Sequence, residues 1–318
     1  MGIVCPMRAS TRSFFIVALC ACRVPAATAQ AIGPVGAAPE VGWRPVRPLQ
    51  GALVVLGVRA AAGDSVTAVR GDLAGEPLHF AVVAGWFRAL GGVPFDAADS
   101  VHARLVIEYA ARPADTLTPS LPVARRHARH ERLKAAPEFV EPPDSLADRL
   151  RADHDLVRDL KRRAHEIEQL WRGPFLRPRP SAITDRFGVA RVFNGSARSH
   201  HLGVDFAGRP GSPVKATNRG VVAFAGDLYM SGTTIFIFHG AGLLTGYLHL
   251  SRALVGAGDT VATGQVIGRV GASGRVTGPH LHWLADYGDV AVDPLDLLTL
   301  DLAAPLGRRS RQRAPPPR

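Results

Sequence analysis

Cysteine is nearly absent from this 318-residue chain, and the three that occur, Cys5, Cys20 and Cys22, all fall in its first 22 residues. Downstream of them a disulfide framework and a thiolate metal site are both excluded. Aromatic residues make up only 7% of the chain and methionine occurs three times. Beyond the first 31 residues no apolar run approaches the ~18 residues that cross a bilayer, which excludes a polytopic membrane protein. Neither a helix-turn-helix pattern nor a Cys/His finger is present, so nucleic acid is not expected as a partner despite a formal net charge of +11. Glycine (33) and proline (25) are plentiful, and an apolar fraction of 47% is ample for the cores of two domains.

The first 31 residues have the order of a secretory signal peptide. Arg8 and Arg12 precede the apolar stretch Phe14–Cys22, and Ala27-Thr28-Ala29-Gln30-Ala31 offers small-residue cleavage sites. Met7 serves equally well as a start. Cleavage there leaves a mature chain without cysteine, exported to the periplasm or cell envelope and with no integral membrane span. A lipid anchor on Cys22 is the minority reading, because Cys20 and Arg23 fit a lipobox poorly. For an exported chain the natural counterpart of the basic surplus is the anionic cell envelope, possible regulators included, although half of that weight belongs to plain solvated charge.

Composition divides the rest. Residues 32–48 read as a flexible lead-in rich in Pro and Gly, and 49–111 as a small β module of short apolar runs such as Ala52–Leu56, Leu78–Val83 and Ala103–Tyr109. Residues 112–143 form a Pro-rich linker, and 144–172 a helix uninterrupted by Gly or Pro, with a stripe of Leu146, Leu150, Leu156, Leu160, Ile167 and Leu170. A second domain follows over 173–300, and 301–318 reads as a disordered basic tail. His79 and His102 read as packing residues, His127 and His130 as solvated linker, and His165-Glu166-Ile167-Glu168-Gln169 lacks the last histidine of a zinc-protease helix. The upstream segments are expected to position or shield the second domain, and a segment starting near Pro174 to hold metal and to be at least as active as the full mature chain without them.

Chemistry concentrates between His201 and His282. His201-Leu202-Gly203-Val204-Asp205 opens the stretch, Tyr247-Leu248-His249-Leu250 lies inside it, and Gly278-Pro279-His280-Leu281-His282-Trp283 closes it. Short β-branched runs broken by Gly and Pro read as strands and turns, and on a strand residues an even number apart share a face. His201 with Asp205, and His280 with His282, can therefore meet around one ion. Imidazole and carboxylate without thiolate suit zinc best, and iron and manganese remain compatible.

These motifs, in this order and with these intervals, resemble the lysostaphin/LytM-type zinc metallopeptidases, which cut peptide bonds in bacterial peptidoglycan. The intervening Gly211-Ser212-Pro213-Val214, Gly220-Val221-Val222, Gly258-Asp259-Thr260-Val261 and Gly264-Gln265-Val266-Ile267-Gly268 match as well, so the resemblance covers about residues 180–298. It implies a mainly β protein: a compact antiparallel β-sheet catalytic domain joined by a connecting helix to a small N-terminal β domain. It also implies one zinc ion per chain held by His201, Asp205 and His282, with His249 and His280 beside it as acid–base and oxyanion groups. Asn194, Tyr247 and Thr277 are expected along the substrate groove. Phe193 stands where relatives often carry Tyr, and His200 competes with His201 on sequence alone. The rival reading is a LytM-like module that binds cell wall, or activates other hydrolases, without cutting. Such modules usually lose ligands, whereas all five positions are present here.

Overall fold

The computed structural model describes residues 38–127, 129–195 and 197–310. The leader, with its three cysteines, and the tail beyond 310 lie outside them. Strand Ser100–Tyr109 shows how alternation builds the first half. Val101, Ala103, Leu105 and Ile107 point inward, while His102 and Arg104 are exposed. The inward set meets Val54, Leu56 and Val58 of strand Leu53–Arg59 in one core, between two antiparallel sheets. Leu53–Arg59 is buried on both faces, however, and its other face sends Leu53 and Val55 into the core of the second half. One strand thus serves two cores, and the β module and the domain after it are packed together rather than strung apart.

Three stretches are more ordered than their composition suggests. Glu40–Arg44, inside the expected lead-in, is a strand paired with Leu53–Arg59, anchored by a Trp43 that is 2% exposed. The Pro-rich linker holds strands Asp115–Leu117, Ser120–Pro122 and His130–Leu133. Within the expected tail of 301–318, Arg308–Ser310 pairs with Val41–Trp43. Apart from Glu40–Arg44, which is paired on both sides, these strands have a ladder on one side only, where proline and polar side chains are tolerated.

The helix is shorter than its stripe. It runs from Ala147 to Arg163, with single 3-10 turns on either side. Leu160 and Ala164 pack on Leu228, Phe236, Phe238 and Leu244, on the outer face of the large sheet. After Glu166 the chain becomes extended, because the next residues bond to a strand edge: Ala241 N–H donates to Ile167 O (2.8 Å) and Leu170 N–H to His239 O (2.8 Å). His165 turns towards the β module, facing His79 and Glu76 at 2.9 Å each.

The large sheet is antiparallel, with central order Val204–Ala207, His280–Tyr287, Leu243–Ala253, Gly232–Gly240 and Gly220–Leu228. Its inner face carries Phe206, Tyr247, Leu281, Trp283 and Tyr287. A three-stranded sheet stands beside it, in which His130–Leu133 runs parallel to Ala190–Phe193 and Ala197–His200 antiparallel to it. Among the described residues no helix is long and apolar enough to cross a membrane.

Candidate metal centre

Strand register brings the central side chains together. Asp205 lies directly opposite His282 in the pairing of Val204–Ala207 with His280–Tyr287, and Ala207 lies opposite His280. His201 directly follows strand Ala197–His200, fixed by its N–H donating to Val189 O (2.8 Å). Gly203 is required there for space, since a Cβ at that position would stand 2.5 Å from the His282 ring.

Three donor atoms converge. His201 Nε2 is 2.9 Å from Asp205 Oδ1 and 2.9 Å from His282 Nδ1, and His282 Nδ1 is 2.8 Å from Asp205 Oδ1. The far nitrogen of His201, Nδ1, lies 2.9 Å from Arg186 O. A carbonyl only accepts, so Nδ1 carries the proton and the neutral ring turns a lone pair inward from Nε2. Lone pairs of two imidazoles and a carboxylate at such distances have no proton to share unless a ring is charged, and one cation satisfies all three. The donor set therefore fits a metal, and its His/Asp/His composition fits zinc with an open coordination position. Burial opposes charge on His201, but Asp185 and Asp205 outweigh it and raise its pKa. Burial also raises Asp205, and the bonds from His201 and His282 override it and hold that carboxylate well below its ordinary range. Protons and metal thus compete for one pocket.

His280 and His249 stand apart from the triangle. His280 Nδ1 donates to Gly278 O (2.8 Å), leaving Nε2 free and 3.7 Å from Asp205 Oδ1. His249 Nδ1 donates to Ser273 O (2.9 Å), and its ring centre lies 5.1 Å from that of His280. Burial, then the neighbouring His282 and His280, depress the His249 pKa to about 3, so its ring is neutral with Nε2 available. A β-bulge places this side chain. Tyr247 and Leu250 both face the inner core, whereas Leu248 and His249 both line the hollow at His282. His249 takes φ = 62°, and the pairing with Gly232–Gly240 slips between Tyr247 and Leu250. Strict alternation would have pointed His249 into the core beside Tyr247.

That same alternation removes Tyr247 from the expected groove. It is fully buried, with its hydroxyl 2.9 Å from Thr217 Oγ1 and accepting from Thr217 N–H (2.9 Å). The Asn194 amide is also engaged elsewhere, donating to Ala135 O (2.9 Å) and accepting from Ala135 N–H (3.2 Å). Thr277 does line the groove, a cleft of about 360 Å³ that also takes in Glu131, Leu133, Phe193 and Arg275. His200 is exposed on its strand, with its ring 4.8 Å from Phe95, while His201 occupies the cluster.

Sequence reasoning missed the supporting layer. Asp185 Oδ2 lies 3.2 Å from His201 Nδ1, the carboxylate–imidazole arrangement that orients a metal ligand. Arg191 donates to Asp205 Oδ2 (2.7 Å) and bridges to Asp185. Neither residue has a motif spacing to announce it; the lone arginine before Thr277-Gly278-Pro279-His280 was a usable signal for Arg275.

Residues 199–294 match the model of peptidase family M23. This stretch is an M23 domain. Within it lie His201, Asp205, His249, His280 and His282. Over 102 residues the chain is 47% identical to the peptidoglycan DD-endopeptidase ShyA of Vibrio cholerae, covering 32% of this chain and 24% of that one. It is 42% identical over 97 residues to the DD-carboxypeptidase/endopeptidase Mpg of Neisseria meningitidis, covering 30% and 22%. The chain thus spans about a quarter of the length of these curated relatives. An M23-type structure from Pseudomonas aeruginosa aligns over 79% of this chain and 94% of its own, at 27% identity and a TM-score of 0.59. At that coverage the similarity extends well upstream of the M23 domain.

Proposed function

We propose that this chain is an exported zinc endopeptidase that hydrolyses peptide bonds in bacterial peptidoglycan, in cross-links or stem peptides. The convergence of His201 Nε2, Asp205 Oδ1 and His282 Nδ1, with two further histidines beside it, carries the reading. His201, Asp205 and His282 would hold zinc, which when bound acidifies water and polarises a carbonyl. The protein's own groups do the rest. His280 offers Nε2 at the edge of the donor triangle, placed to accept a proton from the attacking water and return it to the leaving amine. His249, tethered through Nδ1 to Ser273 O, faces the same space with Nε2 and serves as its partner at the developing oxyanion. Phe193 contributes no hydroxyl, so any oxyanion support from this wall must come from other groups.

The relatives' names support a finer reading, hydrolysis of an amide between two D-configured centres. A carboxypeptidase, as in the name of Mpg, acts by definition beside a residue with a free α-carboxylate. The test is digestion of purified sacculi by the full chain, with and without a zinc chelator, and identification of released fragments by mass spectrometry. Chelator-sensitive release of peptide-cleaved fragments is expected; intact cross-links and stems after digestion would overturn the proposal.

A further inference from the structure

Two arginines line the groove, and they are in opposite circumstances. Arg191 is neutralised by Asp185 and Asp205. Arg275 lines both the groove and the adjoining hollow at His282, yet among the described residues its guanidinium has neither an ion-pair partner nor a hydrogen-bond acceptor. Its guanidinium carbon stands instead 4.7 Å over the ring of Phe193, which is itself buried. Burial first, then the nearby Arg191, weigh against its charge. A half-buried cation kept without a counterion is costly, and contact with the Phe193 ring uses none of its N–H donors, which suit a planar two-oxygen acceptor.

Its backbone is fixed by the same turn that sets the catalytic geometry. Arg275 N–H donates to Met230 O (2.9 Å), and two residues earlier Ser273 O accepts from His249 Nδ1. Any group gripped by Arg275 is therefore registered against His249. The ligand that suits it is a carboxylate: a planar anion on a peptide, presented close to the bond being cut.

We propose that Arg275 is the specificity residue of this groove, pairing with the free α-carboxylate of the substrate residue that supplies the amine side of the scissile amide. The inference rests on the peptidase reading above and deepens it. It makes the enzyme a reader of that carboxylate, so that a peptide with the same amide and a blocked carboxyl is a poor substrate.

Two cross-linked muropeptides identical except at that carboxyl, one free acid and one carboxamide, test this with the zinc-loaded full chain. The expected kcat/KM ratio of acid to amide is about 10–100, the scale of charge-assisted bidentate hydrogen bonds. Arg275→Met should bring the ratio towards one with zinc content unchanged, and Arg275→Lys, which keeps the charge but not the fork, should fall between. Equal rates on acid and amide in the parent would overturn the assignment without any variant, as would an undiminished preference in a folded Arg275→Met. Hydrolysis of neither peptide would instead overturn the peptidase reading, and this inference with it.

Discussion

Leu133 pairs in register with Phe193 across a parallel strand, so a segment far upstream of the M23 domain forms one wall of its groove. Glu131, two residues earlier, lines the same cleft. Upstream sequence is therefore part of the groove itself, and the helix covers Phe236 and Phe238 on the sheet's outer face.

A chain starting at Pro174 is accordingly expected to be less stable and less active than the full chain, contrary to what the motif positions alone suggest. It loses strand His130–Leu133 and exposes the surface beneath Leu160. Burying one such leucine contributes roughly 1.5–3 kcal/mol, so removing the whole helix should lower the melting temperature by many degrees. Thermal melts and sacculus digestion of both chains decide it; equal melting and equal cleavage would show the upstream part to be dispensable.

His282→Ala should strip the metal, since His201 and Asp205 alone hold zinc poorly. Metal analysis after dialysis should give close to one equivalent for the parent and far less for the variant. A full equivalent in the variant would mean that the donor triangle is not the binding site.

Asp185→Asn should weaken zinc affinity by about 10–100-fold, because a carboxylate facing the far nitrogen of a ligating histidine fixes its orientation and basicity. Competition against a chelator of known affinity measures this. An unchanged affinity would make the contact with Arg191, rather than that with His201, the reason for Asp185.

The motif histidines and the antiparallel β class were legible because period-two alternation and close Gly/Pro punctuation are local properties. Three features were not. The bulge at His249 depends on slippage against another strand, and nothing in Tyr-Leu-His-Leu announces it. Asp185 and Arg191 reach the centre through the pairing of neighbouring strands, Asp185 opposite Asp205 and Arg191 opposite Ser199, outside any motif spacing. The strand at Arg308 is an edge and the one at Glu40 lies between it and Leu53–Arg59, both formed by backbone bonding that side-chain composition barely records.

His239 gives a pH dependence of stability separate from the metal. It is fully buried, with Nδ1 donating to Arg219 O (2.8 Å) and Nε2 2.8 Å from the Thr245 hydroxyl. Burial depresses its pKa to about 4, so the unfolded chain, with an ordinary value near 6.5, binds this proton first. The contribution is complete above pH ~6.5 and is lost as pH falls towards 4, by up to about 3 kcal/mol. Denaturant titrations of the zinc-loaded chain across this range should show His239→Gln with the shallower decline. Parallel declines would place the pH sensitivity elsewhere.

His249 and His280 separate an enzyme from a binding module. Both rings tie Nδ1 to a backbone carbonyl, leaving Nε2 as the working atom, and neither Nε2 belongs to the donor triangle. If they act on protons and on the developing oxyanion, their interactions strengthen only in the transition state, so ground-state binding is barely affected by their loss. His249→Ala and His280→Ala should each retain zinc and sacculus binding while hydrolysis falls about 10²–10⁴-fold. The double variant should be little worse than either single one, because groups that act as a unit are not additive. His249→Ala has a second possible effect, since it removes the side chain from a residue held at φ = 62°. Its melting temperature should therefore be read beside its rate, with His280→Ala as the comparison at an ordinary strand position. Zinc loss in either variant would make that histidine a ligand, and parental rates in both would remove them from the chemistry.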